Sequence, residues 1–462
     1  MKAPQQLGTY RLIITRRSAS EVLLLPSGSR WMLPRVEIRP FRRLAEELTS
    51  EAARSWSVDT YCLLAGSGSS RGPFPDVHHA VLEATRHNDR APAGSYWMAR
   101  TIASTRCDPE ENRMVTEGLA ELGRYVEGEK PGPFARPGWL RDLFGWTAHQ
   151  LAPLGLRLTG SFRQFNASPT FALLRLDAAE RAVWFKATGE PNAHELEVTL
   201  TLARMFPKYL PEVLGVHREW NGWLAAEAEG FCLEGNNAFC EWQRAAADLA
   251  ELQIASIGHV RKLLAAGCED LRTGALAERI DPFLARMAEL MAAQEKSTPA
   301  PLAPSEMATL SEALKESCTM LQACGLPDTL GHLDLNPGNI LISKNGCVFL
   351  DWAEACIANP LLTFEYLREH MARSGAGAAA SRERLLAAYL RPWARLLPIA
   401  DLTRAAALSP AVAAFAYAAA SDAWRSHEQV RERGLAAFYR SITRRMFREA
   451  VEASQRSEPC LR

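Results

Sequence analysis

Residues 331–342 read Gly-His-Leu-Asp-Leu-Asn-Pro-Gly-Asn-Ile-Leu-Ile, and Leu-Asp-Trp follows at 350–352. Asp334 lies two residues after His332, Asn339 lies five residues after Asp334, and Asp351 comes twelve residues later. Pro337-Gly338 predicts a turn inside the first stretch. Short polar side chains on either side of that turn are therefore expected to converge.

A β-hairpin is predicted directly after this turn. Residues 340–342 form a short apolar run, Asn345-Gly346 suits a tight turn with positive φ, and residues 347–350 form the return strand. The return strand ends at Asp351, so the hairpin is expected to bring Asn339 beside that carboxylate. An amide oxygen and a carboxylate are ligands that Mg²⁺ accepts.

The offsets H-x-D-x-x-x-x-N are typical of loops that catalyse phosphoryl transfer. They predict Asp334 as the carboxylate that orients the acceptor hydroxyl, and Asn339 and Asp351 as magnesium ligands. His332 is expected to brace the loop rather than to act as an acid or base. The alternative is that these residues only cap a hairpin, but four matching residue types at these offsets favour the catalytic interpretation.

The same residues resemble the aminoglycoside phosphotransferase and choline-kinase-like family, whose members carry H-G-D-x-x-x-x-N followed later by Asp-Trp or Asp-Phe. Leu333 stands where Gly is usual, Asn336 where His is frequent, and Thr363 where an aspartate often makes a structural hydrogen bond. The resemblance implies ATP and Mg²⁺ as cofactors and a hydroxyl-bearing small molecule as acceptor. It also implies an α+β, bilobal protein-kinase-like fold, with a small β-rich ATP lobe and a large, mostly α-helical lobe.

The chain upstream fits such an ATP lobe. Residues 171–176 and 182–187 read as two strands, and the second ends its apolar run at Lys186, the position of a lysine that binds the α- and β-phosphates. The helical segment 194–206 carries Glu195 and Glu197. Only one of them can pair with Lys186, because residues two apart on a helix point in nearly opposite directions. Glu195 is favoured, and Glu197 remains the alternative.

Four further residues are expected beside the nucleotide. The phosphate-covering loop is predicted between residues 158 and 174, where Asn166 and Ser168 replace a glycine-rich sequence. The adenine-binding hinge is predicted at 223–230, which contains Glu227 and Glu229. Backbone groups of the hinge, rather than these two carboxylates, are expected to bind adenine.

Composition and pattern divide the chain into domains. Clustered prolines and glycines predict a linker at 128–138, between an N-terminal domain (1–127) and the ATP lobe (139–230). The helical lobe is predicted at 231–455, with the catalytic loop at 331–352. The N-terminal order of strands and helices resembles an α/β/α Nudix hydrolase. Its candidate helix, 40–56, has only Glu46, Glu47 and Glu51 and lacks the R-E-x-x-E-E cluster, so a non-catalytic binding or scaffolding domain is expected.

The overall composition is that of a soluble globular protein. Of 462 residues, 47% are hydrophobic, and Lys plus Arg equal Asp plus Glu at 53 each. The balanced charge predicts no nucleic-acid partner, and the lack of a long apolar run predicts no membrane segment. Ten cysteines without CxxC pairs fit reduced thiols and a cytoplasmic location.

Two functional hypotheses remain from the sequence. The first is a small-molecule kinase, and the second is a catalytically weak or inactive nucleotide- or ligand-binding regulator, suggested by the atypical phosphate loop. An aminoglycoside is only one candidate acceptor beside amino alcohols, sugars and nucleosides, because carboxylates are sparse in the helical lobe. Five are candidates, although solvated helix faces are the favoured interpretation for all of them: Glu354, Glu365, Glu369, Asp401 and Asp422.

Overall fold

The computed structural model describes residues 8–39, 43–65, 77–85, 90–236, 238–374 and 379–457. It divides into two compact units, Met1–Leu196 with Glu212–Glu227, and Glu197–Pro211 with Ala228–Arg462. Both units contain helices and strands, which confirms the mixed α and β content predicted from the sequence.

The first unit contains most of the strands. They are β1 (Gly8–Arg16), β2 (Glu21–Ser27), β3 (Arg30–Met32), β4 (Arg35–Ile38), β5 (Thr60–Ala65), β6 (Val77–Ala84), β7 (Tyr96–Ala99), β8 (Leu158–Gln164), β9 (Ala172–Ala178), β10 (Val183–Ala187), β11 (Val213–His217) and β12 (Gly222–Ala226). Its helices are α1 (Leu44–Trp56), α2 (Arg100–Arg106), α3 (Pro109–Val126) and α4 (Trp139–Leu151), and α5 (Glu195–Met205) begins in it.

Strand β1 lies inside a seven-stranded sheet, parallel to β6 and antiparallel to β2 and β4. Alternate residues along a strand face opposite sides of a sheet. Ile13 accordingly shares a buried cluster with apolar residues of α3, whereas Leu12 and Ile14 share one with residues of α1. A helix on each face gives the predicted α/β/α layering. Helix α1 begins at Leu44, and residues 40–42 of the predicted helix lie outside the described residues.

A second, antiparallel sheet has the order β11-β12-β10-β9-β8. The predicted hairpin of β9 and β10 is present, with Lys186 opposite Leu173 on one side and Trp223 on the other. Lys186 therefore lies near the middle of this sheet. The neighbouring strand pairs hold its backbone in place.

The predicted linker at 128–138 is packed rather than extended. Phe134 is 2% exposed, and its carbonyl accepts a hydrogen bond from the hydroxyl of Tyr61 in β5. Gln164 at the end of β8 also binds β5, accepting from the N–H of Cys62 (2.7 Å) and donating to its carbonyl (2.9 Å). The N-terminal sheet and the second sheet thus belong to one unit with a shared apolar cluster.

The second unit is mainly helical. Its helices are α6 (Phe239–Ser256), α7 (Val260–Ala266), α8 (Thr273–Glu278), α9 (Ile280–Ala292), α10 (Pro304–Ala323), α11 (Pro360–Arg373), α12 (Ala379–Trp393), α13 (Ile399–Ala420) and α14 (Arg433–Ser457). Its strands are β13 (Phe231–Cys232), β14 (Glu269–Leu271), β15 (Thr329–His332), β16 (Ile340–Ser343), β17 (Gly346–Phe349) and β18 (Ala355–Ala358).

Two three-stranded sheets hold the predicted catalytic loop. Strand β15 enters the loop from the β14-β18-β15 sheet, and β16 leaves it into the β13-β16-β17 sheet. The predicted hairpin is confirmed, with Ile340 opposite Phe349. Helix α10 begins at Pro304. A proline needs no backbone hydrogen at a helix start, and the Glu306 carboxylate accepts from the N–H of Ala303 (2.7 Å).

Helix α13 is long and apolar enough, by length and composition alone, to cross a membrane. In its most apolar 18-residue stretch, 61% of the residues are buried inside the structure. The core helix of a globular protein passes the same test, so the absence of a membrane segment remains a prediction.

Candidate active site

His332 is the best anchored residue of the catalytic loop. It is 1% exposed, its Nδ1 accepts from the N–H of Asp334 (3.2 Å), and its Nε2 lies 3.0 Å from the carbonyl of Leu350. These partners fit the neutral tautomer with the proton on Nε2. Its own N–H donates to the hydroxyl of Thr363 (2.9 Å), so a threonine supplies a hydrogen bond where the resemblance leads one to look for an aspartate.

The carboxylate of Asp334 accepts hydrogen bonds from three side chains. Asn336 Nδ2 and the hydroxyl of Tyr366 each lie 3.1 Å from Oδ1, and Asn339 Nδ2 lies 3.3 Å from Oδ2. A carboxylate has about four acceptor positions, so three donors leave room for a substrate hydroxyl. Sequence reasoning missed Tyr366. The signal was its spacing, since a residue three positions after Thr363 lies on the same face of a helix.

Asn339 and Asp351 are brought together by the hairpin. The N–H of Leu350 donates to the carbonyl of Asn339 (2.9 Å), which places Asp351 one residue from a backbone bond to Asn339. The amide nitrogen of Asn339 donates to the Asp334 carbonyl (2.9 Å), so its amide oxygen is the atom left for a cation. Asp351 has φ +65° and ψ +66°, a left-handed conformation that is uncommon outside glycine and is often found at functional sites.

Glu354 adds a third acidic side chain near this loop. Its pKa is raised by partial desolvation and then by the negative charges of Asp334 and Asp351. Among the described residues, no group of three or more His, Cys, Asp or Glu side chains is arranged to hold a metal ion. One carboxylate, that of Asp351, with the amide oxygen of Asn339 fits Mg²⁺, which keeps several waters and takes few protein ligands.

Lys186 pairs with Glu195, the glutamate that the sequence favoured, and Glu197 is exposed. The Lys186 Nζ lies 2.5 Å from Glu195 Oε1, and only 12% and 1% of the two side chains are exposed. The rings of Phe171 and Trp223 lie 5.8 and 5.7 Å from the ammonium nitrogen. Such a sheltered ion pair holds the ammonium group in one position, which a phosphate ligand requires.

The predicted phosphate-loop residues bind their own loop. Asn166 Nδ2 donates to the Phe171 carbonyl (3.0 Å), and Ser168 Oγ accepts from the N–H of Thr170 (3.4 Å). These bonds order the loop in the absence of glycines. Asn166 and Ser168, which were expected beside the phosphates, therefore use polar groups of their side chains within the loop.

The two hinge glutamates differ in their surroundings. Glu227 accepts two hydrogen bonds from Arg175 (2.7 and 3.1 Å) and a third from Trp184 Nε1 (3.3 Å), whereas Glu229 is exposed. The Glu227 side chain therefore stabilises the second sheet. The expectation that neither carboxylate binds adenine stays a prediction.

Replacing Glu227 by Gln should change acid stability and leave nucleotide affinity within about twofold. The Arg175 hydrogen bond lowers the Glu227 pKa below its ordinary value of 4.5, against a smaller effect of burial. A lowered carboxyl pKa stabilises the fold above the unfolded value, and this contribution is lost as pH falls through the folded value. The variant should lose up to about 1 kcal/mol at pH 7 and less near pH 4, as measured by urea unfolding. A tenfold weaker nucleotide affinity would instead place the carboxylate at the nucleotide.

Replacing Tyr366 by Phe should lower kcat/KM by about tenfold, because one hydrogen bond to the charged Asp334 is lost. The change should appear in kcat and in the acceptor KM, with the KM for nucleotide unchanged, a split that a general loss of structure would not give. Steady-state kinetics at varied concentrations of each substrate measure it. Tyr389→Phe is the matched control, since its hydroxyl also donates to a buried polar side chain, Gln253 (2.7 Å), and Tyr389 does not line the cavity beside Tyr366. Equal losses in both variants would remove Tyr366 from its positioning role.

A family model described as the phosphotransferase enzyme family matches residues 240–399, roughly a third of the chain. No curated protein matches the sequence. Solved structures with similarity include the apoenzyme of macrolide 2'-phosphotransferase MphH from Brachybacterium faecium, at 18% identity and a TM-score of 0.46, covering 64% of this chain and 97% of that one. Choline kinase LicA from Streptococcus pneumoniae shows 13% identity and a TM-score of 0.43, covering 68% and 98%. The family match includes the whole catalytic loop and α11.

Proposed function

We propose that this protein transfers the γ-phosphoryl group of ATP to a hydroxyl group of a small molecule. The observation that carries the proposal is the hydrogen-bonded loop in which Asn339 Nδ2 binds Asp334 while the Asn339 carbonyl binds the strand end that carries Asp351. The phosphotransferase family match over residues 240–399 supports it. A loop that served only as a hairpin cap would not need a carboxylate with three side-chain donors.

Each residue has one task in the proposed reaction. Asp334 accepts the hydrogen of the acceptor hydroxyl, whose oxygen bonds to the γ-phosphorus as the bond from that phosphorus to the ADP oxygen breaks; the proton passes to Asp334. Lys186, held by Glu195, binds the α- and β-phosphates. Asn339 and Asp351 would hold Mg²⁺, which supplies charge neutralisation to the phosphates when it is bound. His332 keeps the loop in register through its backbone partners.

An acceptor screen with ADP release as readout tests the proposal. Hydroxyl-bearing metabolites and antibiotics are offered with ATP and MgCl₂, and the product is checked by mass spectrometry for the added phosphate. At least one acceptor should give turnover that depends on both ATP and magnesium. ATP that neither binds nor is consumed, in a folded protein, would overturn the proposal.

The regulator hypothesis has one observation in its favour, which is the self-bonded loop of Asn166 and Ser168. A loop that already uses its polar groups binds phosphates less closely. Thermal shift with ATP and MgCl₂ separates the two hypotheses when it is combined with the screen. Binding without turnover across the panel would favour the regulator.

The N-terminal domain is proposed as a Nudix-like binding or scaffolding part without hydrolase activity. Its Glu46 pairs with Arg163 of β8, and Glu51 pairs with Arg54. Two of the three carboxylates of its candidate helix are thus used in ion pairs. The cytoplasmic location and the absence of nucleic-acid or membrane partners remain predictions from composition.

A further inference from the structure

A cavity of about 400 Å³ lies beside the catalytic loop. Its walls come from Leu333 of the loop and from faces of α11, α13 and α14. Tyr366 lines the cavity, and its hydroxyl also donates a hydrogen bond to Asp334. The Tyr366 side chain therefore connects the cavity wall to that carboxylate. The volume is at the small end of the range of ligand sites, about 300–1,000 Å³.

One face of α11 runs from the loop into this cavity. Thr363 holds His332 and Tyr366 holds Asp334, and the same face continues through His370 to Arg373. These residues are three or four positions apart, which places them in one row along a helix. A molecule bound along this row would extend from the catalytic carboxylate toward Arg373.

The carboxylates that line the cavity are already bound to arginines. Glu365 is only 5% exposed and pairs with Arg368 (2.5 Å), and it also accepts from the Ser409 hydroxyl (3.0 Å). Glu369 pairs with both Arg373 (3.2 Å) and Arg445 (2.8 Å). The interpretation of Glu365 as part of a solvated face is therefore wrong, because helix packing buries it. A polycationic acceptor would have to compete with guanidinium groups for each of these oxygens.

Positive charge is in excess at the end of the cavity formed by α14. Arg445 and Arg448 both line it, and Arg448 is exposed. Three arginines and two glutamates line the cavity; Glu365 also pairs with Arg368, and Glu449, which is not part of the lining, lies 3.7 Å from Arg445. Counting these four arginines and three glutamates leaves one positive charge in excess. The catalytic end carries Asp334, so the cavity is negative where a hydroxyl would donate and positive at the far end.

Aromatic rings form much of the wall between these ends. The ring of Tyr366 lies 4.8 Å from His370 and 5.3 Å from Tyr417, and Phe438 is a further lining ring. Burial, followed by the charge of Arg373, lowers the pKa of His370, so this ring adds no positive charge at neutral pH. Flat rings favour an apolar or planar body over an open polyol.

On the basis of the proposed function, we infer that the acceptor is a hydroxyl-bearing oxyanion with a flat apolar body. The body packs against Tyr366 and Tyr417. The oxyanion, a carboxylate or a phosphate, binds Arg448 at the α14 end of the cavity, and the hydroxyl at the other end reaches Asp334. The Arg fork matches either oxyanion through two parallel hydrogen bonds.

Probes that share a hydroxymethyl-phenyl body and differ in their terminal group test this inference on the full chain. Calorimetric titration compares para-(hydroxymethyl)benzoate, its neutral amide and its benzyl-trimethylammonium analogue, and the phosphonate analogue distinguishes the two oxyanions. The carboxylate or the phosphonate should bind at least about tenfold tighter than the ammonium probe. Equal affinities, or tightest binding of the ammonium probe, would overturn the inference.

Charge reversal then locates the binding residue. Arg448→Glu should lower the ratio of anion affinity to ammonium affinity by about tenfold, and Arg448→Lys should keep most of that ratio. Arg440→Glu, on the same helix but not lining the cavity, is the control and should leave the order of affinities unchanged. An unchanged order in Arg448→Glu would contradict the assignment. Because the titrations need no turnover, selective binding without phosphoryl transfer would count against the proposed function and not against this inference.

Discussion

Asp334→Asn should abolish phosphoryl transfer and leave nucleotide binding close to that of the wild type. An amide is nearly isosteric with the carboxylate but cannot take the proton of the acceptor hydroxyl, and a positioned base contributes about 10²–10⁴-fold to such reactions. We expect kcat to fall about 10³-fold, equivalent to roughly 4 kcal/mol of transition-state stabilisation. Coupled ADP release with an identified acceptor gives kcat, and titration with ATP and MgCl₂ gives affinity.

The surroundings of Asp334 make this variant a clean test. Its oxygens accept from Asn336, Asn339 and Tyr366, and an amide oxygen can keep part of these bonds. An amide NH₂ placed against the donor of Asn339 would cost some stability, so thermal unfolding is measured in parallel. Asn336→Ala is the control for loop disorder, since it removes a donor without removing the carboxylate. A variant of Asp334 that is folded and fully active would remove this residue from the mechanism.

Asp351→Asn should weaken magnesium-dependent ATP binding by at least about tenfold and reduce turnover by about 10³-fold. The loss of one negative ligand charge weakens a site that has few protein ligands. Asn is chosen because it tolerates the left-handed backbone found at this position, with φ +65°, better than Ala does. Titration of ATP at several MgCl₂ concentrations separates the metal-dependent part of the affinity from the rest.

Glu354→Gln is the matched control for this second experiment. Glu354 lies three residues further on, and the negative charges of Asp334 and Asp351 add to the desolvation that raises its pKa. Glu354→Gln should change the magnesium-dependent part of the ATP affinity by less than about threefold if Glu354 acts only through its charge. An Asp351 variant that titrates like the wild type would exclude it as a ligand, and an equal loss in both variants would indicate that Glu354 shares the metal.

Short-range pattern was enough to predict much of the local structure. The hairpin of β16 and β17 and the helix of Glu195 depend on contacts within about twenty residues, where Asn-Gly turns and helical periodicity act directly. The pairing of Lys186 with Glu195 followed from helix geometry combined with the resemblance to a kinase lobe.

Residues far apart in the chain could not be assigned in the same way. The Tyr366 hydroxyl reaches Asp334, 32 residues earlier in the chain, only because α11 packs beside β15. Gln164 satisfies the backbone of β5 from about a hundred residues away, and so joins the second sheet to the N-terminal sheet. Long-range packing depends on which apolar faces of helices and sheets pack against each other. Local patterns in a single sequence do not identify those pairs of faces.

By itself, the sequence determined the order and spacing of the groups that phosphoryl transfer requires, because those offsets are consequences of one turn and one hairpin. The tertiary structure alone decided what surrounds them, including the hydroxyl that binds Asp334 and the arginine-lined cavity beyond it. The physical reason is the distance along the chain over which each kind of interaction acts. Backbone geometry fixes neighbours along the chain, whereas the charge and shape of a binding cavity arise only after helices from distant segments have packed together.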